Sequence, residues 1–214
     1  MHSQSSSVFS PKTLFDIDNF EYNNLFIDSE FAWEVISSLS QFLQEFFKKK
    51  PGNFAKKVFV GKNVVIDKTV RIIGPAIIGD NTTIAFNSYL RENLIIGSGC
   101  IIGHAVELKN TVVMNKSNIA HYNYIGDSII GSDVNFGAGA KTANFRLDGK
   151  NISVKDLRGN AISTNLEKFG ALVGDNTKIG ANSILNPGTV LGKECIVYPL
   201  VSVVGTYKTL SRIK

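Results

Sequence analysis

Large aliphatic residues recur at every sixth position along most of the chain. The series begins with Val60, Ile66, Ile72, Ile78, Ile84, Leu90, Ile96, Ile102, Leu108, Met114 and Ala120. The residue two positions before each member is mostly small or β-branched, and glycine follows directly at Gly61, Gly79, Gly97 and Gly103. The series breaks around residues 124–127 and resumes at Ile130 and Phe136. After a second interruption it returns at Val173, Ile179, Leu185, Leu191, Val197 and Val203.

A period of six predicts an all-β fold, a left-handed parallel β-helix of hexapeptide repeats. An α-helix would need a period of 3.6 and an isolated strand a period of two. A β-sandwich would need strands spaced every 8–12 residues, which the chain lacks. Each hexad supplies a short strand and a corner, and the aliphatic residue points inward. The number of hexads predicts six to seven coils, and the following Gly or Asn suits a corner with positive φ.

The pattern divides the chain into four parts. Residues 1–28 carry no assignable pattern, 29–50 form an amphipathic helix, 58–206 form the β-helix, and 207–214 form a C-terminal tail. Within the β-helix, residues 146–169 are an insertion. There Ile152–Asp156 and Ala161–Thr164 flank a turn at Gly159–Asn160, which predicts a protruding hairpin able to reach a neighbouring subunit.

The predicted helix over residues 29–50 has one apolar face, capped by Asp28 or Ser29. Its apolar residues are Phe31, Val35, Leu39, Phe42, Leu43, Phe46 and Phe47. Lys48–Lys50 lie where the helix dipole favours cations, and Pro51–Gly52 end the pattern. The polar face holds Ser, Gln and Glu rather than Lys, which favours packing against the protein over a membrane surface.

The composition excludes several classes of protein. The net charge is +5, but the basic residues mostly occur singly and without interleaved aromatic residues, so no nucleic acid partner is expected. A mildly basic surface instead suits anionic small molecules. No stretch reaches the roughly 18 apolar residues of a membrane span, and the N-terminus lacks the pattern of a signal peptide. We therefore expect a cytoplasmic protein in which Cys100 and Cys195 are buried thiols.

Histidine provides the first candidate for catalysis. His2 lies near the terminus, and His104 and His121 are too few to hold a catalytic zinc ion, so no metal site is predicted. His121 lies in the segment Asn118–Asp127, where the six-residue period breaks, and it is followed by Tyr122, Asn123 and Tyr124. A neutral imidazole beside such groups can act as a general base that deprotonates an amine.

Four segments carry a family resemblance that covers about residues 88–200. They are Leu90–Asn93, Gly103–Lys109, Ala120–Asp127 and Val134–Gly139 leading into Ala143–Asn144. They resemble the C-terminal acetyltransferase domain of bifunctional N-acetylglucosamine-1-phosphate uridyltransferase/glucosamine-1-phosphate acetyltransferases, and more closely the archaeal-type sugar-1-phosphate nucleotidylyltransferase/acetyltransferases. Phe31–Val35 resembles the linker helix of those enzymes, whose nucleotidyltransferase domain this chain lacks.

The resemblance implies an acetyltransferase that uses acetyl-coenzyme A. His121 would be the general base, and Asn144 would hold the amino sugar beside it. The backbone N–H of Ala138 would stabilise the oxyanion of the tetrahedral intermediate. Ala138 and the positions of Ala181 and Pro199 would line the coenzyme. A serine of the bacterial enzymes falls on Ala181, which puts the coenzyme contacts near the C-terminus in doubt.

The resemblance also implies a phosphate site. Arg91, Lys109 and Tyr124 would bind the sugar phosphate, and Asn135 would contact the sugar. The family has a further phosphate-binding lysine, which is Lys150 by direct spacing or Lys168 if the insertion is looped out. The sequence leaves this choice open.

The resemblance implies a homotrimer with active sites between subunits, and the helix would cover an end of the prism or add to an interface. The expected acceptor is glucosamine-1-phosphate, on the route to UDP-N-acetylglucosamine. The alternatives are galactosamine-1-phosphate, a nucleotide-linked amino sugar, a lipid A precursor, or a non-catalytic scaffold beside a separate nucleotidyltransferase.

Overall fold

A computed structural model describes residues 7–49 and 57–214. The strands between Val58 and Ile213 form a left-handed parallel β-helix with three sheets, interrupted by a hairpin. The first sheet contains Val58–Val60, Ala76–Ile78, Leu94–Ile96, Thr111–Val113, Ile129–Ile130, Ala171–Val173, Thr189–Leu191 and Thr206–Tyr207. The second contains Val65–Ile66, Thr83–Ile84, Ile101–His104, Asn118–His121, Asn135–Phe136, Lys178–Ile179, Ile196–Val197 and Arg212–Ile213. The third contains Arg71–Ile72, Tyr89–Leu90, Glu107–Lys109, Tyr124–Gly126, Lys141–Thr142, Ile184–Leu185 and Ser202–Val203.

Helices precede the β-helix in the chain. A long α-helix spans Glu34–Lys49 and a short one spans Pro11–Leu14, and the 3₁₀ turns are Ser7–Phe9, Ile17–Asn19 and Asn23–Phe26. His2, Lys50 and the predicted stop at Pro51–Gly52 lie outside the described residues.

The predicted inward stack is confirmed over most of its length. Ile78, Ile84, Leu90, Ile96 and Ile102 have no solvent exposure and lie in one apolar core. The small residues before them add polar contacts at the corners, where the Thr82 and Ser88 hydroxyls donate to the carbonyls of Gly97 and Gly103. These bonds satisfy backbone groups that a buried corner would otherwise leave unpaired.

The prediction that Met114 and Ala120 point inward is wrong. Thr111 pairs with Leu94, 17 rather than 18 positions earlier, so this coil is one residue shorter than the preceding ones. The shortening moves Val113 and Ile119 into the apolar core. Met114 packs on the outside of the prism instead, because a one-residue shift exchanges the two faces of a strand.

The glycines that follow the aliphatic residues are required by close contact, not by positive φ as predicted. A Cβ atom on Gly79 would lie 2.6 Å from the carbonyl carbon of Gly97 on the next coil. Asparagine is the most frequent non-glycine residue at the left-handed corners, for example at Asn63, Asn81 and Asn87. Asparagine tolerates this conformation better than most other residues.

The predicted C-terminal tail at 207–214 is instead part of the β-helix. Thr206–Tyr207 pairs with Val190–Leu191, and Arg212–Ile213 pairs with Ile196–Val197. The pairing spans 16 residues, so the six-residue period does not reveal this coil. The sheets hold eight, eight and seven strands, more than six to seven coils would supply.

The outer side of the first sheet carries a second apolar core. Its outward residues are Phe59, Ile77, Ile95, Val112, Ile129, Leu172 and Val190. The N-terminal segment and the long helix cover this surface, with Val35, Ile36, Leu39 and Leu43 buried. The helix therefore packs against the body of the protein, as predicted, but it covers a side of the prism rather than an end.

The long helix begins at Glu34, five residues later than predicted. The Glu34 carboxylate accepts a hydrogen bond from the Phe31 N–H (3.2 Å), and the Ala32 N–H donates to the Phe9 carbonyl (2.9 Å). The N–H groups of Phe31 and Ala32 thus bond to a side chain and to the Phe9 carbonyl instead of extending the helix. The rings of Phe31 and Trp33 stack there at 4.5 Å.

The insertion contains the predicted hairpin, with antiparallel strands Ile152–Lys155 and Ala161–Leu166. Asp156 organises its turn by accepting from the N–H groups of Arg158 and Asn160, both at 2.8 Å. Ile152 and Val154 are buried in the outer core, so the base of the hairpin packs against its own chain. The tip around Leu157 is exposed, and so are alternate residues of the strands, such as Ser153, Lys155 and Ser163.

Both cysteines are buried and free, as predicted. Burial raises the pKa of the Cys100 thiol to about 12. In the described part of the chain, no helix has the length and apolar character needed to cross a membrane.

Candidate active site

His121 lies on the edge where the second sheet turns into the third. Residues from successive coils align along this edge, which we call the His121 corner: Phe86, His104, His121, Ala138, Ala181 and Pro199. Backbone hydrogen bonds confirm the alignment, because Gly139 N–H donates to His121 O (2.8 Å) and Asn182 N–H donates to Ala138 O (2.8 Å). The structure therefore aligns His121, Ala138, Ala181 and Pro199 on one edge.

The backbone N–H of Ala138 has no hydrogen-bond acceptor among the described residues. At the same position in other hexads, the N–H of Lys62, Ser98 or Ser132 is capped by a side-chain oxygen from the next coil, at 2.7–2.9 Å. For Ala138 the next coil supplies Ala181, whose methyl group cannot accept. The exposed Ala138 thus offers an N–H donor one coil from His121.

The opposite side of His121 along the corner is aromatic. The ring of His104 stacks on Phe86 with centroids 4.0 Å apart and contacts Tyr122 edge-on. Its Nδ1 lies 3.2 Å from the Phe86 carbonyl, which fixes the proton on that nitrogen. Over the described ranges, no three His, Cys, Asp or Glu side chains are grouped as ligands for a metal ion.

A polar cluster occupies the outer face of the third sheet and its other edge. We define it as Arg91, Glu92, Glu107, Lys109, Asn110, Tyr124, Asp127 and Asn144. Arg91 pairs with Glu107 at 3.0 Å and with Glu92 at 3.7 Å. Lys109 Nζ lies 3.5 Å from Asp127, and Asn144 Nδ2 donates to the Tyr124 hydroxyl at 3.1 Å. Four predicted substrate residues are therefore brought together in this cluster.

The carboxylates of the polar cluster were absent from the sequence prediction. Both predicted phosphate-binding cations already have carboxylate partners in the structure, Glu107 for Arg91 and Asp127 for Lys109. Burial raises the pKa of Tyr124, and the charge of Asp127 raises it further, so the phenol stays protonated at neutral pH. The only sequence signal for Asp127 was its place in the segment that follows His121.

The remaining predicted residues are spread over other surfaces. Asn135 lies exposed on the second sheet, where it pairs with Asn118 and Lys178. Lys150 is exposed in the loop before the hairpin. Lys168 pairs with Phe145 in an isolated bridge, and the next residue, Phe169, donates its N–H to the Asn144 carbonyl at 3.0 Å. The looped-out insertion therefore returns the chain to Asn144 at Lys168.

The two halves of the candidate site lie on different edges of the third sheet. His121 precedes the strand Tyr124–Gly126, whereas Asp127 follows it and Asn144 follows the neighbouring strand Lys141–Thr142. The His121 corner offers a base and an N–H donor beside a row of small residues. The polar cluster offers two cations, a phenol and an amide. This arrangement suits acyl transfer at one edge and recognition of a polar anion at the other.

Replacement of Ala138 by Pro tests the free N–H. Proline removes the donor, and Pro199 already occupies the equivalent corner position two coils later. We expect kcat for acyl transfer to fall by about 10²–10³-fold, with the circular dichroism spectrum unchanged. Ala138→Gly keeps the N–H and serves as the control. Equal activity of the Pro and Gly variants would exclude a role for this group.

Two family models match the chain. The model of the GMPPB C-terminal domain matches residues 72–166. The model described as the hexapeptide repeat of succinyl-transferase matches residues 171–198. Together they cover most of the β-helix, and the first match includes the hairpin.

Similar proteins include longer bifunctional enzymes. The chain is 34% identical over 194 residues to the bifunctional protein GlmU of Methanococcus vannielii, covering 83% of this chain and 44% of that protein. It is 36% identical over 186 residues to the bifunctional sugar-1-phosphate nucleotidylyltransferase/acetyltransferase of Sulfurisphaera tokodaii, covering 84% and 46%. The chain thus spans less than half the length of these relatives. Among solved structures, the N-acyltransferase AntD from Bacillus cereus matches with a TM-score of 0.38 and 24% identity, over 77% of this chain and 80% of that one.

Proposed function

Because the chain belongs to the hexapeptide-repeat acetyltransferase domains of these bifunctional enzymes, we propose that it is an acetyl-coenzyme A-dependent N-acetyltransferase. Its acceptor is an amino-sugar-1-phosphate, and glucosamine-1-phosphate is the specific acceptor proposed. The observation that carries the proposal is the alignment of His121 directly beside the unpaired N–H of Ala138. The product would enter the synthesis of UDP-N-acetylglucosamine.

The chemistry follows from the His121 corner. The amine nitrogen attacks the thioester carbonyl carbon, and His121 takes the proton that the nitrogen loses. The Ala138 N–H donates to the oxyanion that forms on the carbonyl oxygen. When the C–S bond breaks, the proton passes from His121 to the coenzyme A thiolate. Ala181 and Pro199 continue the corner, and neither carries a long side chain, which leaves room for the pantetheine arm along the edge.

The polar cluster would bind the acceptor. Arg91 and Lys109 supply charge-assisted hydrogen bonds to the phosphate, and the protonated phenol of Tyr124 supplies another.

Of the two candidate lysines, we favour Lys168, because its neighbour Phe169 is hydrogen-bonded to the backbone of Asn144. Lys168→Ala should therefore raise the KM for the sugar phosphate, and Lys150→Ala should not.

We propose that the protein is a cytoplasmic homotrimer, in which the two separate halves of the site come together between subunits. The first sheet is covered by the chain's own N-terminal segment, which leaves the second and third sheets as surfaces for self-association. In a closed three-fold ring, the polar cluster of one subunit would face the His121 corner of the next. Exposed Asn135 on the second sheet would then contact the sugar. A separate nucleotidyltransferase would use the product.

The test is the release of free thiol from acetyl-coenzyme A, with glucosamine-1-phosphate and galactosamine-1-phosphate offered separately. Turnover with glucosamine-1-phosphate supports the proposal, and turnover only with galactosamine-1-phosphate changes the acceptor. The assay is then repeated with a nucleotide-linked amino sugar and a lipid A precursor. Failure with every acceptor would overturn the enzymatic proposal in favour of a non-catalytic scaffold.

A further inference from the structure

A buried carboxylate connects the residues proposed to bind the acceptor. The Asp127 side chain is only 5% exposed, yet it lies at the centre of the polar cluster. It accepts hydrogen bonds from the side-chain amides of Asn144 and Asn110, the latter at 2.9 Å, and it pairs with Lys109 at 3.5 Å. No role in recognition or catalysis follows for Asp127 from the proposed reaction.

The charge of Asp127 determines which way the Asn144 amide faces. An ionised carboxylate can only accept hydrogen bonds, so the amide nitrogen of Asn144 must point toward it. The same nitrogen also donates to the Tyr124 hydroxyl at 3.1 Å. Both amide hydrogens are therefore used within the protein. Asn144 is left with its Oδ1 atom, an acceptor, to present to a ligand.

The same constraint reaches Tyr124. Its hydroxyl oxygen accepts from Asn144, so its own hydrogen points elsewhere and can be donated to a ligand oxygen. The Tyr124 hydroxyl and the Asn144 amide both lie close to the backbone of Gly126. A Cβ atom at this position would lie 2.5 Å from the Tyr124 hydroxyl and 2.8 Å from Asn144 Nδ2. Glycine at 126 thus makes room for the pair.

We infer that Asp127 is a positioning residue that sets the hydrogen-bonding polarity of the acceptor site. Through Asn144 it presents an acceptor to the N–H groups of an amine. Through Tyr124 and Lys109 it presents donors to a phosphate. The site would therefore select a ligand that carries an amine and a phosphate together. This inference rests on the proposed function for the identity of the ligand, and on the hydrogen bonds of Asp127 for the polarity.

Asp127→Asn tests the inference, because asparagine keeps the shape and loses the acceptor-only character. The Asn144 amide can then turn over, so we expect the KM for the amino-sugar phosphate to rise about tenfold, the usual effect of one hydrogen bond to a charged group. The KM for acetyl-coenzyme A should not change. Asn110→Ala removes one donor to Asp127 and should raise the acceptor KM in the same direction by a smaller factor.

Asp175→Asn is the matched control. Asp175 is equally buried (5% side-chain exposure), accepts from the N–H groups of Ser132 (2.8 Å) and Asp16 (2.6 Å), and pairs with Lys193 at 3.4 Å. It lies at the corner between the first and second sheets, away from the polar cluster. This variant should lower the midpoint of thermal unfolding and leave both KM values unchanged. If Asp127 had a purely structural role, Asp127→Asn would likewise lower the midpoint of thermal unfolding and leave both KM values unchanged.

Binding measurements separate this inference from the proposed function. Calorimetry with glucosamine-1-phosphate in the absence of acetyl-coenzyme A needs no turnover, and the wild type should bind it about tenfold more tightly than Asp127→Asn. Equal affinity for this amino-sugar phosphate, or an unchanged acceptor KM in an active Asp127→Asn enzyme, would overturn the inference. A wild type that binds glucosamine-1-phosphate but does not acetylate it would overturn the proposed function alone. If Asp127→Asn does not fold, Asn110→Ala decides, and an unchanged affinity in that variant counts against the inference.

Discussion

Replacement of His121 by Ala is expected to lower kcat for acetyl transfer by about 10²–10⁴-fold, the usual contribution of a general base. The KM for acetyl-coenzyme A should change little, because the imidazole acts on the proton of the amine. Folding should persist, since His121 is exposed and its backbone pairing with His104 does not depend on the ring. Thiol release at saturating substrates measures the effect.

His104→Ala is the control for this prediction. His104 lies one coil away on the same corner, and its ring packs on Phe86 and Tyr122. Its removal should alter local packing without a comparable loss of kcat. If both variants lost activity equally, the corner would serve a structural purpose, and if neither did, another group would have to accept the proton.

Replacement of Trp33 by Ala is expected to cost about 3–5 kcal/mol of unfolding free energy, as for other buried aromatic residues. Trp33 is 3% exposed and links the two parts of the outer core. The centroid of its ring lies 5.2 Å from that of Phe9 and 6.4 Å from that of Phe169, a residue next to the hairpin. For a chain of this length, the thermal midpoint should fall by roughly 10 °C, measured by circular dichroism.

Ile27→Ala provides the comparison, because Ile27 belongs to the same segment but is 74% exposed. Its unfolding free energy should change by less than about 0.5 kcal/mol. An unchanged midpoint in Trp33→Ala would show that the N-terminal segment is not part of the cooperative unit. The β-helix would then be stable without its cover.

The inner core was predictable because every coil repeats the same local pattern of an inward aliphatic residue followed by a corner. Each hexad needs an inward aliphatic residue, so Ile84 or Leu90 could be placed without knowledge of any distant contact. The same argument failed at Met114, because the coils that reach Thr111 and Ile129 are each 17 residues long, and each of them shifts the following positions by one. The register then depends on strand pairing, which a period of six does not report.

The outer core had a signal that the six-residue period hides. In strands such as Ile77–Ile78 and Ile95–Ile96, two neighbouring residues are both apolar, and neighbours in a strand face opposite sides. One of each pair must therefore point out of the prism. The identity of the cover, Phe9 to Phe47 together with the hairpin, follows only from the folded chain.

The candidate site also contains both residues that were expected from the sequence and a residue that only the folded chain revealed. His121, Asn144, Arg91 and Lys109 were implied by the family resemblance, and the structure brings the last three into one cluster with Tyr124. Asp127 was not predicted, because a lone acidic residue at a corner is usually solvated. Its contacts arise because 17-residue coils bring Asn110 and Asn144 beside it.

The sequence by itself determined the β-helix, the apolar helix that precedes it and the hairpin, and it marked His121 at the point where the six-residue period breaks. These features depend on interactions that repeat within one or two coils, and such interactions leave a period or a turn motif in the chain. The tertiary structure alone decided the strand register after Asn110, the cover of the first sheet and the hydrogen bonds of Asp127. Each of these depends on residues that lie a whole coil or more apart, and their pairing is set by the lengths of the corners and of the insertion between them.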